Sequence, residues 1–145
     1  MKAGKSIEIS ATAERVWPFL VEPEKILQWC ITYRKFEYTS EQRSGVGTPV
    51  YLEEQGGSLM KIHFEATEWK ENEKLAWRMV SGTGVKSYQQ FFSLEPTPSG
   101  CRFTFKEEIE LPGGIFGKLI GIIAEQMSKA TLDKMMLKLK ALVEV

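Results

Sequence analysis

The stretch Cys101-Arg102-Phe103-Thr104-Phe105-Lys106-Glu107-Glu108-Ile109-Glu110-Leu111-Pro112-Gly113-Gly114-Ile115-Phe116 changes its period part-way along. Up to Leu111 it reads as a strand: Cys101, Phe103, Phe105 and Ile109 share one side, with Arg102, Thr104, Lys106 and Glu108 opposite. Glu107 falls on the apolar side. Pro112-Gly113-Gly114 stops the strand. From Ile115 the spacing turns helical, with Phe116, Ile120, Ile123, Met127, Thr131, Met135, Leu139 and Leu142 close to one stripe. Such a helix of some thirty residues is roughly 45 Å long at 1.5 Å per residue. A strand with one greasy face running into a long amphipathic helix predicts a sheet covered by that helix, an α+β arrangement.

Upstream, residues 33–41, 48–55, 59–69, 75–81 and 86–94 read as further strands. They are separated by Gly45-Val46-Gly47, Gly56-Gly57, the polar run 70–73, Gly82-Thr83-Gly84 and a Pro-rich turn at 96–100. Strands joined in order by short turns indicate an antiparallel meander. At the start, Ser6-Ile7-Glu8-Ile9-Ser10 alternates as a strand. Thr12 then opens a helix through Leu20, interrupted by Pro18, and Pro23 opens a second short helix through about Trp29. The expected order is one strand, two short helices, six strands and one long helix in a single domain, 1–145. A strongly twisted sheet curling round a helix leaves space at the open end, where small-molecule sites occur.

The totals narrow the function. The 19 basic residues equal the 19 acidic ones, so the broad positive field that nucleic-acid binding draws on is missing. No apolar run is long enough to span a bilayer, so integral membrane association is not expected. The first residues lack the apolar core of a secretory signal, which makes a cytoplasmic protein the default expectation. Cys30 and Cys101 show neither metal-ligand nor disulfide spacing and read as buried free thiols. His63 is the only histidine. It stands on the polar face of its strand beside Lys61 and Glu65, with no catalytic partner legible and no metal-site spacing. No metal and no cofactor are expected, and the oligomeric state stays open.

Several segments resemble the START-like (SRPBCC, helix-grip) superfamily, and within it the polyketide cyclase/dehydrase group. They are Ile9-Ser10-Ala11-Thr12-Ala13-Glu14-Arg15-Val16-Trp17-Pro18-Phe19-Leu20 with Pro23 and Trp29, Gly45-Val46-Gly47-Thr48, Gly100-Cys101-Arg102-Phe103-Thr104, and Glu110-Leu111-Pro112-Gly113-Gly114 with Leu139-Lys140-Ala141-Leu142. The resemblance implies a helix-grip fold: a curved antiparallel sheet of about seven strands wrapped round the C-terminal helix. It does not select one activity, because this scaffold serves lipid carriers, receptors, cyclases and chaperone activators. The leading expectation is binding or transport of a small hydrophobic molecule such as a polyketide, isoprenoid, quinone or lipid. The alternatives are a cyclase/aromatase-like enzyme working mainly by substrate positioning, and a protein-interaction module.

Strand alternation nominates the pocket side chains. Phe103, Phe105 and Glu107 come from the last strand, Tyr88, Gln90 and Phe92 from the one before. Trp77 and Met79, Ile62 and Phe64, and Phe36 and Tyr38 come from earlier strands, and Ile123 and Met127 from the helix. The adjacent Phe91 leaves the register of its strand arguable. Glu107 has the chemistry to orient a ligand hydroxyl or, desolvated, to exchange a proton, and Tyr88 and Gln90 to hydrogen-bond the same ligand. Glu107 and Tyr88 are the only candidates for a catalytic role.

Overall fold

A computed structural model describes the backbone of residues 1–56 and 58–145, with the side chains of all of these except 114–127. The stripe positions Phe116, Ile120, Ile123 and Met127 therefore lie outside the described side chains. The elements follow in the order β1 (Lys2–Ile9), α1 (Ala13–Val16), α2 (Pro18–Val21), α3 (Pro23–Trp29), β2 (Tyr33–Tyr38), β3 (Pro49–Gly56), β4 (Ser58–Lys70), β5 (Lys74–Thr83), β6 (Ser87–Thr97), β7 (Gly100–Glu110) and α4 (Gly114–Val143).

The seven strands form one antiparallel, curled sheet in the order β1-β7-β6-β5-β4-β3-β2. Consecutive strands from β2 to β7 are neighbours, as short turns require, and β1 closes onto the last strand instead. Its register runs from Lys2 opposite Glu108 to Ile9 opposite Cys101. The pairing explains why β1 starts at Lys2 rather than at Ser6: β7 supplies ladder partners well before the apolar alternation begins. β4, β5 and the far end of β6 likewise gain polar residues, β3 and β7 shift by one residue, and the exception is the 33–41 stretch. It stops at Tyr38, and the chain turns through Gly45 and Gly47, whose φ values of +83° and +91° suit glycine.

The expected helix from Thr12 to Leu20 is two helices. Pro18 has no N–H to continue the first, so α1 closes with the Trp17 N–H on the Ala13 carbonyl and Pro18 opens α2. Thr12 does not cap with its side chain; its carbonyl accepts from the Arg15 and Val16 N–H groups. These short helices carry Trp29 into the core. There it donates from Nε1 to the Phe19 carbonyl (2.7 Å) and meets Phe103 and Phe105 edge-on.

The buried face of the sheet is the one that alternation assigns. Tyr88, Gln90, Phe92 and Leu94 are buried while Phe91 points outward, which settles the register of β6. Leu132, Met135, Met136, Leu139 and Val143 of α4 complete the core. The end of α4 is tied to the first elements: Arg15 donates to the Val143 carbonyl (2.9 Å), Lys140 to the Glu8 carbonyl (2.8 Å), and the Ser10 N–H to Glu144 (2.8 Å). Lys140 thus tethers the end of α4 to β1.

At Gly100 the β1–β7 closure is tight. A Cβ there would stand 2.1 Å from the Ile9 carbonyl oxygen and 2.8 Å from the Ala11 nitrogen, both backbone atoms that cannot swing aside. Gly100→Ala is expected to lower unfolding free energy by about 2–4 kcal/mol, the range of substitutions that force a backbone shift. Urea unfolding read by tryptophan fluorescence would measure it; an unchanged midpoint would show that the closure is loose.

Candidate ligand site

Beneath the described part of α4 the sheet leaves a pocket of about 260 Å³. Its apolar walls are Met60, Val85, Phe105, Ile109, Leu111, Leu132 and Met135, and its polar border includes Thr32, Tyr33, Glu54, Gln90 and Glu107. The polar groups converge because the curled sheet brings the neighbouring strands β2 and β3 opposite the neighbouring strands β6 and β7, so that Gln90 and Tyr88 reach Tyr33 and Glu54. In β7 the row Cys101, Phe103, Phe105 continues to Glu107, and in β3 the row Val50, Leu52 continues to Glu54. The period of two that buries the apolar members turns both carboxyls inward as well.

Tyr88 of β6 joins them. Its Oη lies 2.8 Å from Glu54 Oε1 and 3.1 Å from Glu107 Oε2, and it accepts from Gln90 Nε2 at 3.0 Å. The second hydrogen of the Gln90 amide goes to Tyr33 Oη (2.7 Å), and Thr32 Oγ1 donates to the far oxygen of Glu54 (2.9 Å). A phenol has one hydrogen to give, so it cannot donate to both carboxylates at once. The bonds close when one carboxyl is protonated: Glu107 donates to Tyr88, Tyr88 donates to Glu54, and Gln90 occupies the remaining lone pair.

The electrostatics agree with that count. Burial, then the charge of Glu54, raise Glu107 from its ordinary value to about 7, against a smaller downward pull from the Tyr88 bond. Burial also raises Glu54, offset in part by the bonds from Tyr88 and Thr32. The Tyr88 hydroxyl is pushed far above its usual range by burial and by both carboxyls, so it stays protonated. The two acids titrate as a pair through a shared hydroxyl.

Of the nominated residues, Gln90, Phe105 and Glu107 border this pocket, and Tyr88 stands directly behind its polar end. Phe36, Ile62, Phe64, Trp77, Phe92 and Phe103 are buried in the core, where Phe64 and Phe36 pack on Trp77 and Phe92 on Phe103. Tyr38 and Met79 are partly buried against that core, Tyr38 donating its hydroxyl to the Val21 carbonyl. None of these eight borders the pocket. Ile123 and Met127 lie outside the described side chains. His63 faces out with its ring tilted against Tyr51, while Cys30 and Cys101 are free and buried.

Glu54 and Tyr33 were not nominated. For Glu54 the signal was present, since it extends the alternation of Val50 and Leu52. For Tyr33 it was not: a bulge between Tyr33 and Lys35 breaks the register, so Tyr33 and Phe36 face the same side three residues apart.

The model of the family described as polyketide cyclase / dehydrase and lipid transport matches residues 2–144. The chain belongs to that family. Solved structures share the arrangement of sheet and C-terminal helix seen here. A Thermus thermophilus protein is 18% identical with a TM-score of 0.82, covering 99% of this chain and 97% of that one. A START superfamily protein from Mycobacterium smegmatis is 17% identical with a TM-score of 0.79 over the same shares. At such identities the likeness is one of fold. Uncharacterized proteins of Mycobacterium tuberculosis and Mycobacterium bovis are 24% identical over 110 residues, 74% of this chain; the match spans 65% of the length of those relatives. No described helix is long and apolar enough to cross a membrane.

The buried acid has a measurable consequence. Because the fold favours the protonated form of Glu107, its contribution to stability is fully present below about pH 4.5 and is lost as pH rises through about 7. Glu107→Gln keeps the shape and the bond to Tyr88 without the charge. It is expected to raise unfolding free energy by about 2 kcal/mol near pH 8 and by little near pH 4.5. Denaturation curves at the two pH values measure this, and equal effects at both would show that Glu107 is not held protonated.

Proposed function

We propose that the protein binds a small, mostly apolar molecule in the pocket between the sheet and α4. The observation that carries this reading is the division of the pocket into a hydrocarbon wall and one polar end. Apolar surface buried against Met60, Phe105, Ile109 and Leu132 supplies affinity at roughly 25 cal/mol per Å², and the polar end fixes orientation. The volume of about 260 Å³ lies just below the usual range of about 300–1,000 Å³, which suits one compact molecule or the end of a longer one. Membership in a family that includes lipid transport supports the same reading.

A second reading is favoured by one arrangement, the Tyr88 hydroxyl between two carboxyls. A cyclase or dehydratase needs a group that gives and takes a proton near neutrality, beside a wall that holds a reactive chain in place. Glu107, raised to about 7, meets the first need, with Tyr88 as the positioning residue that links it to Glu54. The carrier reading is preferred because the polar end is accounted for by ligand orientation alone.

The test uses N-phenyl-1-naphthylamine, a neutral probe that fluoresces in apolar surroundings. Its emission is expected to rise on adding the protein, and Leu132→Trp, which fills the pocket, is expected to weaken the probe's affinity by about tenfold, equivalent to 1.4 kcal/mol. Mass spectrometry of an organic extract of the purified protein should reveal one apolar compound. No probe binding and an empty extract would overturn the proposal.

A further inference from the structure

The chain is neutral overall, with 19 basic and 19 acidic residues, yet its charge is unevenly spread around the pocket. An open groove runs beside the start of β1, bordered by Lys2, Lys5, Lys106 and Lys129 against Glu107 and Glu108. Groove and pocket meet at one place. Glu107 borders both. Met1 lines the pocket and Lys2 the groove; on α4, Ser128 lines the pocket and Lys129 the groove. The boundary between the two spaces therefore lies among the start of β1, the inward side of β7 and α4. Ala3 stands opposite Glu107 in the ladder and also borders the groove, so on that side only a methyl group flanks the acid.

The lysines are not all neutralised. Lys5 is bonded to Asp133 at 2.6 Å, and Lys2 stands loosely 3.8 Å from Glu108. Lys106 has no acidic partner among the described residues, its nearest such contacts being absent from the ion pairs of β1 and β7. Lysines on an edge strand deter the addition of a further strand, which accounts for Lys2 and Lys5 of β1. That role does not extend to Lys106, because β7 has a neighbour on each side, or to Lys129 on a helix.

We propose that the groove beside β1 receives the anionic head of an amphiphile, a sulfate, phosphate or carboxylate, whose hydrocarbon lies in the pocket. The proposal rests on the ligand-binding reading above and adds an outer site for the head. Lysine ammonium groups on flexible stems meet a rounded anion as point charges with several donors each. The hydroxyls of Ser6 and Thr104, 2.7 Å apart at the floor of the same groove, share one hydrogen bond and keep one hydrogen to give. Glu107, raised to about 7, holds its proton below that pH and adds no charge where the molecule passes from one space to the other. A cationic head would meet the lysines as like charges, and an alcohol would gain no charge attraction.

Octyl sulfate, octanol and octylamine carry the same tail, so competing each against bound N-phenyl-1-naphthylamine near pH 6 isolates the head. In about 0.01 M salt, where the screening length is about 30 Å, octyl sulfate is expected to bind about tenfold more tightly than octanol, and octylamine most weakly. In about 0.15 M salt, where that length is about 8 Å, the advantage should shrink. Lys106→Gln and Lys2→Gln change exposed side chains, and each should lower the sulfate-to-alcohol ratio about threefold. Inorganic sulfate should compete with octyl sulfate no better than chloride of equal ionic strength, since the head is held through its tail. Equal binding of the three, octylamine binding best, a ratio unmoved by salt or by both variants, or displacement specific to inorganic sulfate would overturn the amphiphile site while leaving a pocket that binds the probe. A probe that never binds would remove the carrier reading itself.

Discussion

The pairing of β7 with β1 on one side and β6 on the other is the constraint from which the rest follows. β7 is the last strand in sequence but sits inside the sheet, so its apolar row has neighbours on both flanks and α4 directly after it. Cys101, Phe103 and Phe105 are buried, and Trp29 is brought onto Phe103 and Phe105 by the short helices. The closure tolerates no side chain at Gly100, because Ile9 and Ala11 present backbone there. Arg15, Lys140 and Ser10 then fasten the end of α4 to the beginning of the chain. First and last elements are thus one assembly, while the strands from β2 to β6 join it through short turns.

The same row explains why a carboxyl lies in the interior. A strand that buries positions 101, 103 and 105 turns 107 the same way, whatever residue stands there. Glu54 arrives by an identical route in β3. Two inward acids are costly unless a proton and hydrogen bonds are shared between them, and Tyr88, Gln90, Tyr33 and Thr32 form that shared network. Glu107 sits at the end of the network, next to open space rather than deep among rings.

How legible this was in the sequence differs by level. The element order and the buried faces of β4 to β7 follow from alternation and turn residues, because each strand has one wet side and one dry side. Strand ends were harder, since ladder pairing carries β1 back to Lys2 through residues with no apolar signal. The aromatics Trp77, Phe64 and Phe36 were legible as inward, but which rings they touch is a three-dimensional property that the sequence does not carry. Glu107 could be read from its strand, whereas its bonding to Tyr88 and its nearness to Glu54 depend on the register between strands. Tyr33 was hidden by a bulge, which defeats any rule based on parity.

The pocket wall and its polar end differ in stiffness. Met60 and Met135 contribute unbranched thioether chains that adopt many shapes at little cost, whereas the Tyr88–Gln90–Tyr33 array is a chain of bonded, enclosed groups with no freedom to rotate. Variation in a guest's carbon skeleton meets side chains that give way, and variation in its head meets groups that do not. For a ligand held as proposed, selectivity would reside in chemistry at one end and tolerance in contour along the other. Compounds of unlike outline but like functional group would then compete as equals for the same place.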